Sequence, residues 1–114
     1  MEKKAKRAVK RYSVVVQEWL ESEAGWGCRP DGVSLHLNDT DRKQYCELYW
    51  KREKERNPSG VTPAEYSREC GSPYIIDVDA TTYRRIKQSP SGGIRCWQTE
   101  FRQMKQALEQ KFKV

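Results

Sequence analysis

A strand that directly follows a tight turn is the feature that most constrains what this chain can fold into. Residues 29–32, Arg-Pro-Asp-Gly, have turn composition, because proline presets φ, aspartate hydrogen-bonds locally and glycine accepts a positive φ. In residues 33–37, valine and leucine alternate with Ser34 and His36, which is the period of a half-buried strand. The β-branched and aromatic residues 12–20 predict a strand before the turn, so the two strands are expected to pair antiparallel.

Three helices are predicted from capping signals. Small polar residues begin a helix over 38–56, and Asp79 caps a shorter helix over 80–88. Thr99 is predicted to cap the last helix. That helix carries an apolar stripe that belongs either to the core or to a dimer seam, namely Phe101, Met104, Leu108 and Phe112.

Two further strands are predicted at 74–78 and 94–97, and residues 57–73, rich in proline and glycine, are predicted to form a long loop. The resulting element order is ββαβαβα. It predicts an α+β fold with a small, mainly antiparallel sheet of about four strands and helices on one face.

The net charge of +6 comes largely from the first residues of the chain. Residues 1–11 contain six Lys or Arg and one Glu, whereas residues 12–114 contain sixteen cationic and fifteen acidic residues. The charge therefore predicts a basic N-terminal tail over 1–11 and a single domain over 12–114. Such a tail either contacts phosphate backbones or only solubilises the chain end. Because aliphatic residues are few, we expect stabilisation by homo-oligomerisation.

Neither a membrane span nor a secretory signal is expected, since the sequence contains no long apolar run. The four cysteines, Cys28, Cys46, Cys70 and Cys96, are widely spaced and include no C-x-x-C pair. We therefore expect reduced thiols, and the spacing supports neither a disulfide framework nor a zinc site. No cofactor is expected.

Catalytic signatures are missing from the sequence, which has neither a phosphate-binding loop nor a nucleophile elbow. Ser34 and the single histidine, His36, share one strand face, but neighbours at i and i+2 are not expected to be aimed at each other. The chain is therefore predicted not to be an enzyme.

Arginines and aromatic residues near turns and element ends are typical of a site for a compact anionic nucleotide, because arginine binds phosphate bidentately and aromatic rings stack bases. Gly92 and Gly93 are expected to expose amides beside an arginine. Three alternatives stay open: Trp26 covers an edge of the core, Arg29 pairs with Asp31, and Arg84 and Arg85 form a solvated helix face. The predicted ligand-binding residues are Trp26, Arg29, Asp31, His36, Arg84, Arg85, Arg95 and Trp97.

The segment from Trp26 to His36 follows the pattern W-G-x-R-P-D-G-x-S-L-H and is followed by Tyr49-Trp50 and, later, by residues 93–95, Gly-Ile-Arg. In these motifs the chain resembles small proteins encoded by phages and prophages, over about residues 12–97. Cys28 and the charged stretch after Trp50 depart from the pattern. In size and in its arginine and aromatic content, the chain is also similar to the Thoeris anti-defence sponges, small α+β oligomers that sequester cyclic ADP-ribose-type signals.

The resemblance implies a counter-defence protein in the cytoplasm of a bacterial host, which binds and sequesters a small anionic cyclic nucleotide at a subunit interface. One alternative is a protein that inhibits a host defence complex by direct contact, as anti-CRISPR proteins do. Another is a nucleic-acid binder that uses residues 1–11.

Overall fold

The computed structural model describes residues 9–23, 27–56 and 67–113. Their four strands form one antiparallel sheet in the order β3-β1-β2-β4. The α+β fold, the four antiparallel strands and the order ββαβαβα are confirmed. In chain order the elements are β1 Tyr12–Glu23, β2 Gly27–His36, α1 Asp39–Arg56, β3 Ser67–Val78, α2 Ala80–Lys87, β4 Ile94–Cys96 and α3 Gln98–Phe112.

The predicted turn at residues 29–32 is wrong, because this segment lies within β2. The pairing of β1 with β2 shifts between Glu18↔Val33 and Leu20↔Pro30, so that two residues of β2 face one residue of β1. This is a β-bulge, and Gly32 adopts a φ of 79° there. A side chain at Gly32 would also collide with the Cys96 carbonyl at the end of β4. The Arg-Pro-Asp-Gly composition, which is typical of a turn, forms a β-bulge in this strand.

Strand β3 is longer than the sequence predicts. Residues 67–73 of the predicted loop belong to β3, and residues 57–66 lie outside the described residues. The proline in this segment argues against a strand, because proline has no backbone N–H to donate to a neighbouring strand. Pro73 is tolerated because β3 is at the edge of the sheet and pairs only with β1.

The apolar core lies on one face of the sheet, under α2 and α3, and we call this side the core face. The stripe of α3 belongs to it: Phe101 and Leu108 are buried, and Met104 and Phe112 pack against them. Of the two interpretations of the stripe, the structure therefore supports the core. The buried residues of the core face are Val14, Val16, Val33, Leu35, Val78, Ile86, Cys96, Phe101 and Leu108.

Helix α1 lies on the opposite face, so the prediction that all helices share one face is wrong. Ser34 and His36 alternate with core residues along β2 and therefore point away from the core face. There the His36 ring lies 4.9 Å from the Tyr45 ring of α1, and the Trp19 ring lies 5.0 Å from Tyr49, centroid to centroid. Aromatic residues of α1 thus cover the face that looked solvent-exposed in the sequence.

The helix starts follow capping chemistry. Asn38 Oδ1 accepts a hydrogen bond from the Asp41 amide at α1, and Asp79 caps α2 as predicted, by accepting from the Thr82 amide. The prediction for α3 is wrong by two residues, since its N-cap is Trp97 and not Thr99. The Glu100 carboxylate reaches back and accepts a hydrogen bond from the Trp97 amide at 3.2 Å, as the N3 glutamate of a capping box does, whereas Trp97 makes no side-chain cap.

Candidate functional site

Ser34 and His36 form a buried hydrogen-bonded network on the α1 face. His36 Nδ1 lies 2.9 Å from the Gly92 carbonyl, which only accepts, so Nδ1 carries the proton. The neutral ring then accepts at Nε2 from the Ser34 hydroxyl at 2.8 Å, and Trp19 Nε1 donates to the same hydroxyl at 2.8 Å. The prediction that Ser34 and His36 are not aimed at each other is wrong. Both are fully buried, so this network faces no solvent.

The surroundings of His36 keep its ring neutral. Burial lowers the pKa of His36 and nearby Arg42 lowers it further, against the raising effect of the Gly92 carbonyl. A side chain at Gly93 would overlap the imidazole, so the glycine pair makes room for the ring. Gly93 is itself buried, and the Gly92 amide donates to the Ser89 carbonyl at 3.3 Å. These glycines therefore do not form the exposed amide cradle that the sequence predicted.

Arg95 is held inside the molecule by the β-bulge. Its Nη2 lies 3.0 Å from the Asp31 carboxylate and 3.0 Å from the Asp31 carbonyl oxygen. The guanidinium also lies 4.4 Å from the centroid of the Trp19 ring and 5.9 Å from that of Tyr49. Two predicted ligand residues, Arg95 and Asp31, are thus brought together, but they bind each other. Their contacts link β4, the bulge and α1.

Other predicted residues are scattered over the surface. Arg29 lies in β2 and pairs with Glu21 at 2.8 Å, not with Asp31. Trp97 is 68% exposed at the start of α3. Trp26 lies outside the described residues. The seven predicted residues that the structure describes therefore do not converge on one pocket.

An open groove of about 460 Å³ lies between the start of β1 and α2. Two rings in a tilted contact, Tyr12 and Tyr83, form part of its wall, with their centroids 4.5 Å apart and their planes at 43°. Lys10 Nζ lies 5.3 Å from the centroid of Tyr12. The groove, called the Tyr12–Tyr83 groove below, is lined by Tyr12, Ala80, Tyr83, Arg84 and Lys87. Among the described residues, none that lines it is acidic.

Cationic side chains converge around this groove and along α2 and α3. The Arg11 guanidinium packs 4.7 Å from the Phe112 ring centroid, and Lys111 Nζ lies 2.6 Å from Asp79 Oδ2. The start of β1 therefore meets the end of α3, and the end of α3 meets the start of α2. We call this surface the basic face, which comprises Lys10, Arg11, Arg84, Arg85, Lys87, Arg102, Lys105, Lys111 and Lys113.

Two cations of the basic face pair with carboxylates, Arg11 with Asp77 at 3.8 Å and Lys111 with Asp79, and few other acidic residues belong to this part of the chain. Residues 80–113 contain eight Lys or Arg and two Asp or Glu, whereas residues 12–79 contain eight Lys or Arg and thirteen Asp or Glu. Burial tends to raise the pKa of Asp79, but its bonds to Lys111 and Thr82 outweigh this effect and lower the pKa to about 2. Within the described residues, no carboxylate lies within ion-pair distance of Arg84, Arg85, Lys87 or Arg102.

The sequence interpretation named two members of this surface, Arg84 and Arg85, but missed the surface itself. Counting charges over all of 12–114 averaged a basic segment with an acidic one. The contributions of Lys10 and Tyr12 depend on the contact between β1 and α2, which are far apart in the chain. A separate count for residues 80–113 would have revealed the asymmetry.

No similarity to a known protein singles out a site: comparison with protein-family models, curated proteins and solved structures finds no match to this chain. In the described ranges, no three His, Cys, Asp or Glu side chains are grouped so as to hold a metal ion. Cys46 and Cys96 are buried, and burial raises the pKa of the Cys96 thiol. The helices of the described part include none that is long and apolar enough to cross a membrane.

Proposed function

We propose that this protein is a non-enzymatic nucleic-acid-binding protein, which contacts phosphate backbones through the basic face. The observation that carries the proposal is the segregation of charge: α2 and α3, on one side of the sheet, contain six Lys or Arg and two acidic residues. Lysine and arginine bind phosphates by displacing condensed counterions, and a one-sided cationic surface is the expected footprint of such binding.

The basic tail extends the same surface. Lys10 and Arg11 belong to the basic face, and the chain positions 3, 4, 6 and 7 are also Lys or Arg. These four positions precede Lys10 by only three to seven residues. The tail and the folded domain therefore act on the same ligand in this proposal, whereas the sequence alone suggested the tail only.

A second candidate is sequestration of a small anionic nucleotide, which the Tyr12–Tyr83 groove favours. Its volume of about 460 Å³ falls within the range of ligand sites, and it combines aromatic rings with Arg84 and Lys87. In this candidate the ligand residues are those of the groove, because Arg95 is occupied by Asp31. The predicted counter-defence role in a bacterial host stays a prediction.

Binding of a fluorescein-labelled DNA oligonucleotide, measured by anisotropy across a series of salt concentrations, tests the first proposal. The logarithm of the association constant should fall linearly with the logarithm of the salt concentration, with a slope of about 0.7–0.9 per phosphate contact. The double variant Arg84→Glu/Lys87→Glu should lower the affinity by at least about tenfold and reduce this slope.

The matched control is Lys51→Glu/Arg52→Glu, which makes the same charge change at exposed positions on α1. It should bind like the wild-type protein. Equal losses in the two variants would show that net charge alone matters and would refute the basic face as the site. Competition by cyclic mononucleotides and dinucleotides at micromolar concentration would instead support the second candidate.

A further inference from the structure

We infer that the Tyr12–Tyr83 groove is a base-stacking subsite, and that it makes the protein prefer single-stranded to double-stranded nucleic acid. This inference rests on the proposed function, since it adds base contacts to a surface proposed to bind phosphates. The two rings and the cations around them provide the two kinds of contact that an unpaired nucleotide makes with protein.

The rings form a supported platform. Tyr12 begins β1 and Tyr83 lies in α2, one turn before the fully buried Ile86. Both rings pack partly against the core and against each other, with centroids 4.5 Å apart. Because the core fixes them, little conformational entropy is lost when a base stacks on them.

Cations are placed where the phosphates on either side of a stacked base would lie. Arg84 and Lys87 are one turn apart on α2 and line the same groove as the rings. Lys10 lies over the Tyr12 ring, and its exposed ammonium can exchange that ring for a phosphate. The nearby carboxylate of Asp79 is already paired with Lys111.

The groove is suited to an unpaired base and not to a duplex. In a duplex the faces of the bases are covered by their neighbours, so tyrosine rings cannot reach them without unstacking. The cations, by contrast, contact the backbone of either form. The basic face therefore supplies general affinity, and the tyrosines add affinity for single strands.

The test compares single-stranded and duplex oligonucleotides of the same sequence, about twenty nucleotides long, for the wild type, Tyr83→Leu and Tyr83→Phe. Tyr83→Leu should lower single-strand affinity about 5- to 100-fold, the loss of one stacked base, and should leave duplex affinity unchanged. Tyr83→Phe retains the ring and should keep single-strand affinity within about threefold of the wild type. Circular dichroism and thermal melting check that each variant folds.

The possible failures are distinguishable. If the wild type binds neither form, the proposed function itself is wrong. If Tyr83→Leu weakens both forms equally, or neither, the cations bind and the stacking subsite is refuted. If Tyr83→Leu fails to fold, Tyr83→Trp decides: a larger ring should raise single-strand affinity selectively, and an unchanged ratio of the two affinities would overturn the inference.

Discussion

The His36 imidazole is fully buried against α1, although it lies on the polar face of the alternating strand β2. The alternation correctly separates Ser34 and His36 from Val33 and Leu35, and polar side chains on a separate face suggest solvent. Instead this face is covered by α1, and the polar atoms are satisfied internally by Trp19 and the Gly92 carbonyl. Burying a polar group is inexpensive only when its hydrogen bonds are complete, and here every ring nitrogen has a partner.

Acid should destabilise the fold through His36. Burial lowers its pKa in the folded protein, so the unfolded chain takes up the proton more readily. The contribution to stability is complete above the unfolded pKa of about 6.5 and is lost as the pH falls from there toward the folded pKa. Thermal melts between about pH 7.5 and pH 5 should therefore show a falling melting temperature.

The same prediction can be checked at the residue itself. Because the chain contains one histidine, its imidazole resonances in an NMR titration report His36 alone. The titration midpoint should lie below about 6.5. A midpoint at or above that value would contradict the neutral, buried ring and the hydrogen-bond directions assigned to it.

At the scale of elements, Arg95 is expected to stabilise the packing of α1 and β4 on the bulge. Its side chain is 29% exposed and its guanidinium contacts Asp31 and the Trp19 ring, so Arg95→Ala should cost about 1–3 kcal/mol of unfolding free energy. Arg29 is 64% exposed in its pair with Glu21, and Arg29→Ala should change stability by less than about 0.5 kcal/mol. Urea unfolding of both variants measures the difference. Equal effects would show that Arg95 is not a structural link.

Elements with local signals were predictable and those set by distant contacts were not. Asn38 and Asp79 begin helices because their side chains cap neighbouring amides, which the sequence displays directly. The bulge at Gly32 depends on β1 and on the end of β4, and the strand character of Pro73 depends on its edge position. The site follows the same rule, since Arg84 was among the predicted ligand residues, whereas Tyr12 lies beside it only through the fold.

For the whole molecule, the aliphatic core is small but complete within one chain on its core face. Leu108 is 6% exposed there, so Leu108→Glu should destabilise the fold by about 3–5 kcal/mol, the scale of an unpaired buried charge. Thermal melting measures this loss, with the exposed Leu48→Glu on α1 as the control. If the Leu108→Glu variant stays folded and light scattering shows only that an oligomer has dissociated, the assignment of this stripe to the core is contradicted. The predicted homo-oligomer then requires a surface other than this stripe.

Removing the tail should weaken nucleic-acid binding without unfolding the domain. Residues 1–8 contain four Lys or Arg and one Glu, and they precede the first residues that the structure describes. A variant lacking residues 1–8 should keep its melting temperature within about 2 °C, because the core contacts of Tyr12 and Val14 remain. Its affinity for single-stranded DNA should fall, with a salt slope smaller by up to about four. A full-length variant with Gln at positions 3, 4, 6 and 7 separates charge from chain length, and it should behave like the truncation. If truncation lowers affinity and the Gln variant does not, the tail acts by a contact other than its charge, and the phosphate-binding role of residues 1–8 is refuted.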